Sequence, residues 1–355
     1  MARYSSLEPL TLEQRRMISA AAMQFFSPIN YRQICEQIGK APAPNVIHPL
    51  SIQDFVQFLE LKKLLPEADR YQQRIRELIE RLKATDILTK MGHAGNPFLG
   101  GQYYCLMEMT DRQHKGVLWL SPVLGPDNLY NGFLHITVHL TGVNRENDVR
   151  GGTGILVTPK HILTCAHVLK DMQLDNEQIF QGNRCKIIKQ LQHPKADVAV
   201  LEVDGSFENL PDLCFRDPTI SETIYLIGFP SVQCIQQAPL LMQRGEVISP
   251  IVTGTDWAKM FLFSAIARPG NSGGPIVSDD GMVLGLVIRD LGSVSATSVF
   301  DAQILEDGQE SQKDAEKQPA MPDGHTFPFF AAIPSSSIRE AVFELIPELS
   351  LPTEA

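Results

Sequence analysis

The sequence lacks any apolar run approaching the roughly 18 residues that a helical membrane span requires. No membrane role is therefore expected. It also lacks, at its start, a cationic stretch followed by an apolar core and a small-residue cleavage site. Met1–Phe26 does not read as a secretion signal, and a cytoplasmic protein is expected. There is no Cys-x-x-Cys pair and no His/Cys cluster with zinc-ligand spacing. The six cysteines (Cys35, Cys105, Cys165, Cys185, Cys214 and Cys234) stand apart from one another. Free, mostly buried thiols are expected, with no metal and no cofactor. A surplus of positive charge is missing too, since the net charge is −10. Residues 1–113 hold 14 Lys and Arg against 12 Asp and Glu, which leaves 17 against 29 in the remainder. An acidic body of this kind argues against wholesale nucleic-acid binding, so no nucleic-acid partner is expected.

What is present falls into two textures, and 355 residues are enough for two domains. From Leu12 to Lys90 the pattern is helical. Leu12–Phe26 follows Thr11 as N-cap. Tyr31–Gly39 ends on glycine. Ser51 with Asp54 caps a third helix that stops at Pro66. Ala68–Thr85 is the most periodic, with Tyr71, Ile75, Leu78, Ile79 and Leu82 on one face. Ile87–Met91 and Gln102–Glu108 then read as a β-hairpin around a Gly/Asn/Pro turn. Helices followed by a hairpin suggest a winged-helix-like module or, more simply, a helical protein-interaction domain.

From Leu134 onward the texture changes to many short strands separated by Gly, Pro, Asn and Asp. That predicts a sandwich or barrel rather than a parallel sheet. Leu134, Ile136, Val138 and Leu140 alternate with polar residues, and further strands are expected up to Phe329–Ile333. Residues 300–325 are polar and acidic and read as a loop. A short helix over Ser336–Leu345 closes the pattern. The expected organisation is a helical regulatory or interaction domain over 1–110, a junction over 111–133, and a β-rich domain over 134–350 carrying the 300–325 insertion.

Three segments of the β-rich part carry chemistry. Thr164-Cys165-Ala166-His167 follows an apolar strand. Asp197 heads the buried run Val198-Ala199-Val200-Leu201. Ser272 sits in Arg268-Pro269-Gly270-Asn271-Ser272-Gly273-Gly274-Pro275. Each alone has a plainer reading, as a core or capping histidine, a strand-capping aspartate or a loop serine. Together they supply a nucleophile, a base and an orienting carboxylate. A serine hydroxyl attacks well only when a base takes its proton. His167 is the candidate base and Asp197 the group that would fix its tautomer. Gly270 lets the backbone turn so that its N–H, with that of Ser272, can point at a developing oxyanion.

The order His, Asp, Ser and these motifs resemble the trypsin/chymotrypsin superfamily. The segments ARPGNSGGPIV and PFFAAIPSSSI most resemble its HtrA-type (Deg) branch, over residues 130–345. The resemblance implies a chymotrypsin-like, mainly β fold of two six-stranded barrels. It implies a serine endopeptidase with a His167, Asp197, Ser272 triad, an oxyanion hole at Gly270 and Ser272, and a protein or peptide substrate. The substrate pocket implied by the family pattern takes in Ser264–Arg268, Val287–Asp290 and Phe330–Ala332, with Ile266, Ala267, Ile288 and Phe330 as its lining. No acidic residue stands at its base, so a small or medium aliphatic side chain is expected before the cleaved bond. Asn271 stands where zymogen families place an aspartate that pairs with a new N-terminus, so activation by N-terminal cleavage is not expected. HtrA-type proteins usually carry an export signal and a PDZ domain, and the sequence reads as having neither. The helical domain is then expected to bind a regulatory protein partner, in a bacterial signalling or defence setting. Two other readings stand beside this one: a weakly catalytic, protease-fold binding module, and a regulator with a nucleic-acid-binding N-terminal domain.

Overall fold

The computed structural model describes residues 8–288 and 329–353, apart from 181, 206, 208, 209, 212, 233, 234, 236, 237, 255 and 256. The 300–325 insertion, Arg289, Asp290, Cys234 and His325 lie outside the described residues. The chain divides into two compact units, Met1–Gly132 and Phe133–Ala355.

The first unit holds α1 (Leu12–Phe25), α2 (Tyr31–Gln37), β1 (Leu50–Ser51), α3 (Ile52–Leu61), α4 (Gln72–Ala84), β2 (Thr89–His93) and β3 (Gly101–Tyr104). Capping boxes start two of these helices. Thr11 exchanges hydrogen bonds with Gln14, and Ser51 with Asp54, so that orphan N–H groups of the first turn are satisfied. The chain leaves α3 ahead of Pro66 and passes through Glu67 at φ 55°. The helix expected from Ala68 therefore begins as a 3-10 turn over Ala68–Tyr71 and becomes α-helical only at Gln72. Ile75, Ile79 and Leu82 of α4 are fully buried. They share a core with Phe25, Phe26 and Phe55, whose rings pack at 4.9–5.6 Å between centroids. β1 joins the hairpin to make an antiparallel sheet of order β1-β3-β2. Short helices follow: α5 (Asp111–Lys115), α6 (Ser121–Leu124) and α7 (Pro126–Leu134). Leu120, Val123 and Leu124 enter the core formed by the helices before them.

The second unit begins with β4 (Thr137–Val143), β5 (Val149–Thr158), β6 (His161–Thr164), α8 (Ala166–Asp171), β7 (Gln173–Leu174), β8 (Glu177–Phe180), β9 (Asn183–Gln192) and β10 (Ala199–Val203). These strands form one seven-stranded sheet of order β7-β4-β5-β6-β10-β9-β8. Next come β11 (Thr223–Gly228), β12 (Leu241–Thr253), β13 (Lys259–Phe263), β14 (Pro275–Ser278), β15 (Val283–Val287), β16 (Phe330–Pro334) and α9 (Ser335–Leu345). β11 to β16 close into a six-stranded barrel of order β11-β12-β13-β16-β15-β14. Its interior is filled by Ile224, Leu226, Val247, Phe261, Phe263, Leu284 and Ala332.

The second unit thus has one closed barrel and one half-barrel sheet, which corrects the expectation of two closed six-stranded barrels. The physical reason lies at the seam between β4 and β8, which no backbone ladder joins. There the buried side-chain amide of Gln178 stands in for a strand. Its Nε2 donates to the Thr141 carbonyl at 2.9 Å and its Oε1 accepts from the Thr141 N–H at 3.0 Å. The Thr141 N–H is satisfied by this amide, while the carbonyl is shared with the Asp175 N–H at 3.0 Å, next to the β4–β7 pairing.

Candidate active site

β6 delivers Thr164 to the end of the half-barrel sheet, and α8 begins two residues later, so His167 stands in the first helical turn. Asp197 is presented by a tight connection between β9 and β10. The His193 N–H donates to the Val198 carbonyl at 2.9 Å, and the Val198 N–H closes a three-residue turn on the Ala196 carbonyl at 2.8 Å. His193 Nδ1 accepts from the N–H groups of Lys195 and Ala196, at 3.2 and 2.7 Å. Its proton must then sit on Nε2, which donates to Glu344 of α9 at 2.8 Å. The loop bearing Asp197 is in this way tied to the C-terminal helix.

Asp197 accepts twice from the same residue. Its Oδ2 lies 2.6 Å from His167 Nδ1, and its Oδ1 takes the His167 main-chain N–H at 2.7 Å. An ionised carboxylate can only accept, so Nδ1 carries the ring proton and Nε2 is left as the acceptor. His167 Nε2 is buried and has no hydrogen-bond partner among the described residues, so the Ser272 hydroxyl is not bonded to it.

Ser272 follows a turn in which the Asn271 N–H returns to the Arg268 carbonyl at 2.9 Å. Pro269 and Gly270 are its central residues, and Gly270 takes φ 98°. Proline before a left-handed glycine is the sequence of a type II turn. A Cβ at Gly270 would sit 2.5 Å from the Phe229 carbonyl oxygen, so only glycine fits. The Pro269 carbonyl is turned outward, accepting from the Ser231 N–H at 3.0 Å. A trans peptide holds C=O and N–H antiparallel, so the Gly270 N–H points the opposite way. Gly273, at φ 80°, is equally restricted, since a Cβ there would lie 2.2 Å from Thr164 Oγ1.

His167, Gly270 and Ser272 line one cleft of about 480 Å³, with Arg150, Ala267, Arg268 and Ile288 on its walls. Of the pocket residues expected from sequence, Ala267 and Ile288 lie in this cleft, and Ile266 and Phe330 are not among its lining. Ile266 faces solvent, and Phe330 is buried in the barrel against Phe263, with ring centroids 6.1 Å apart. Thr153, a fully buried residue of β5, joins the site without any signal in the sequence. Its N–H donates to the Ser272 carbonyl at 2.9 Å. Its hydroxyl donates to the Gly270 carbonyl at 2.7 Å and accepts from the Phe229 N–H at 3.0 Å. Its carbonyl accepts from Thr164 Oγ1 at 2.7 Å.

Ligand atoms of Cys165, His167 and Asp197 all lie within 4.8 Å of one another. Apart from His167 Nε2, these donors are engaged with their neighbours. The Cys165 thiol donates to the Val287 carbonyl at 3.3 Å, and burial, helped by the Asp197 charge, holds it well above the usual thiol range. The thiolate that a metal would take is therefore disfavoured. His139 stacks on Phe229 with centroids 5.0 Å apart, and burial pushes its imidazole below the usual value.

Comparison with known proteins adds a family to this geometry. Residues 152–286 match the trypsin-like peptidase domain. The chain is 30% identical over 165 residues to a mitochondrial protein of Arabidopsis thaliana described as a Do-like protease, covering 42% of this chain and 31% of that one. It is 27% identical over 201 residues to a protein of Chlamydia pneumoniae described as a DegP-like periplasmic serine endoprotease, covering 52% and 40%. The chain thus spans less than half the length of these relatives. Among solved structures it is similar to a protease of M. tuberculosis in its active form. There the identity is 16% and the TM-score 0.45, covering 66% of this chain and 89% of that one.

Proposed function

We propose that this chain, whose residues 152–286 match the trypsin-like peptidase domain, is a serine endopeptidase with His167, Asp197 and Ser272 as its triad. The observation that carries the reading is the two-point contact of Asp197 on His167, beside Ser272 and Gly270 in one cleft. In the reaction, His167 Nε2 takes the Ser272 hydroxyl proton as Oγ bonds to the carbonyl carbon of the scissile peptide. The carbonyl oxygen becomes an oxyanion, which the N–H groups of Gly270 and Ser272 receive. The C–N bond then breaks, His167 returns its proton to the leaving amine, and an acyl-enzyme remains. Water, deprotonated by the same imidazole, releases the acid and restores Ser272. Asp197 holds the tautomer throughout and stabilises the imidazolium. One such oxyanion donor contributes about 3–4 kcal/mol to the transition state. Ala267 and Ile288 support an aliphatic side chain before the cleaved bond.

The unmade bond between Ser272 and His167 supports a resting site that tightens when substrate or an activating partner binds. The N-terminal unit is the candidate to bind that partner, in a cytoplasmic bacterial signalling or defence setting. A two-residue strand preceding α3 and pairing with the later hairpin supports a winged-helix-like reading of this unit. Three of the five basic residues of α4 and the turn before it face acidic neighbours, Arg70 with Glu67, Arg74 with Glu77 and Lys83 with Glu80, while Arg76 lies over the Phe98 ring and Arg81 donates to the Val123 carbonyl. That pairing favours a protein partner over nucleic acid. The test is hydrolysis of casein, with fluorophosphonate labelling, by wild type and Ser272→Ala. Loss of both in the variant is expected. Equal hydrolysis by the two proteins would overturn the assignment.

A further inference from the structure

We propose that the Thr153 hydroxyl is the positioning group for the Gly270–Ser272 turn, and that it sets the oxyanion-stabilising power of the site. The proposal rests on the serine-peptidase reading above. An oxyanion hole made of main-chain N–H groups works only if its peptide planes are held before substrate arrives. Glycine is the residue least able to hold them, because its backbone rotates most freely. Gly270 therefore needs restraint from outside the turn, and two bonds supply it. The Ser231 N–H holds the Pro269 carbonyl at 3.0 Å, and the Thr153 hydroxyl holds the Gly270 carbonyl at 2.7 Å. Because each peptide plane is rigid, a fixed carbonyl fixes the N–H at its other end. The first bond aims the Gly270 N–H, and the second keeps the following plane from carrying it round.

The Thr153 hydroxyl couples these restraints. It accepts from the Phe229 N–H at 3.0 Å, so its single proton is directed to the Gly270 carbonyl. Phe229 stands two residues before Ser231 on the same segment. One hydroxyl thus joins the segment that holds the first carbonyl to the second carbonyl itself. The same residue's N–H holds the Ser272 carbonyl at 2.9 Å, so the nucleophile is referred to β5 as well. Thr153 is fully buried and is not among the residues lining the cleft, so it acts through the turn rather than on substrate.

The experiment compares wild type, Thr153→Val and Thr153→Ser, with Ser272→Ala as the inactive control. Valine keeps the shape without the hydroxyl, and serine keeps the hydroxyl. Three readouts are taken: kcat and KM on a peptide substrate, affinity for a peptide aldehyde, and Tm. The aldehyde adds the Ser272 hydroxyl to become a tetrahedral hemiacetal. For Thr153→Val a fall of about 100-fold in kcat is expected, the scale of a reacting geometry displaced by about 1 Å. Aldehyde affinity should fall in step, with KM little changed. Thr153→Ser should recover most of both. If Thr153→Val does not fold, Thr153→Ala supplies the hydroxyl-free variant. A folded hydroxyl-free variant with wild-type kcat overturns the proposal. So does a Thr153→Ser protein as impaired as the valine variant, or a parallel loss of KM and kcat. A wild type that hydrolyses nothing and takes no fluorophosphonate overturns the peptidase reading itself, and the proposal with it.

Discussion

Asp197 grips His167 at two points, the ring Nδ1 at 2.6 Å and the main-chain N–H at 2.7 Å. The second contact fixes where the residue stands, and the first fixes which nitrogen carries the proton. Asp197→Asn preserves the shape, but its amide can present N–H to the ring and favour the wrong tautomer. A fall in kcat of roughly 10⁴-fold is expected on a peptide substrate, with little change in Tm. Near wild-type kcat would remove Asp197 from the triad.

Gly270→Ala places a methyl group 2.5 Å from the Phe229 carbonyl oxygen and asks an L-residue to hold φ 98°. Relief requires the turn to rotate and take its N–H away from the cleft. The expected loss is about 100-fold or more in kcat, on the scale of one oxyanion donor. Steady-state kinetics on a folded variant, checked by circular dichroism, decides it. Retained activity would show that the turn need not keep this conformation.

His139 gives a pH dependence whose sign can be worked out. Burial lowers its pKa from the ordinary 6.5, so the folded protein favours the neutral ring. The stabilisation is present above 6.5 and is lost as pH falls through the depressed folded value. His139→Phe keeps a ring against Phe229 and removes the titration. Thermal melts from neutral to mildly acidic pH should show wild type losing Tm more steeply than the variant. Parallel slopes would place the acid sensitivity elsewhere.

In the N-terminal unit, the buried Tyr103 hydroxyl donates to Glu80 Oε1 at 2.7 Å. Burial, with the Glu80 carboxylate, pushes this phenol well above its usual range, so it stays a donor. Tyr103→Phe should cost about 1–3 kcal/mol, since a bond to a charged acceptor is lost. Denaturant unfolding of the variant measures it. An unchanged midpoint would mean that water replaces the bond at no cost.

The site was legible in the sequence where its chemistry is local. Ser272 lies in a run of glycines that few other structures require, and His167 follows directly on an apolar strand. The capping boxes at Thr11 and Ser51 are equally local, and mark the starts of α1 and α3. Thr153 was not legible because its partners are remote. Gly270 is 117 residues away and Phe229 is 76, and a threonine in a strand has no signature of its own. The half-barrel escaped for a related reason, since its seam is closed by Gln178 and Asp175 rather than by a strand ladder. The alternation from Leu134 to Leu140 also misled, because α7 runs to Leu134 and β4 begins only at Thr137. Helices of five, four and nine residues in 111–134 are too short to impose a period that the sequence reveals.

The Gln178 amide at the edge of β4 has a consequence for how the half-barrel breathes. A ladder parts only by losing several bonds in succession, whereas this seam is held at Thr141 by the Gln178 amide and by Asp175. A change of the Gln178 rotamer releases the Thr141 N–H, while the Thr141 carbonyl and hydroxyl stay bonded to Asp175. The edge of β4 is therefore held by fewer backbone bonds than the strands that carry His167, Asp197 and Thr153. Hydrogen exchange is expected to be faster at the Thr141 N–H, which a side chain holds, than in the paired strands that carry the triad.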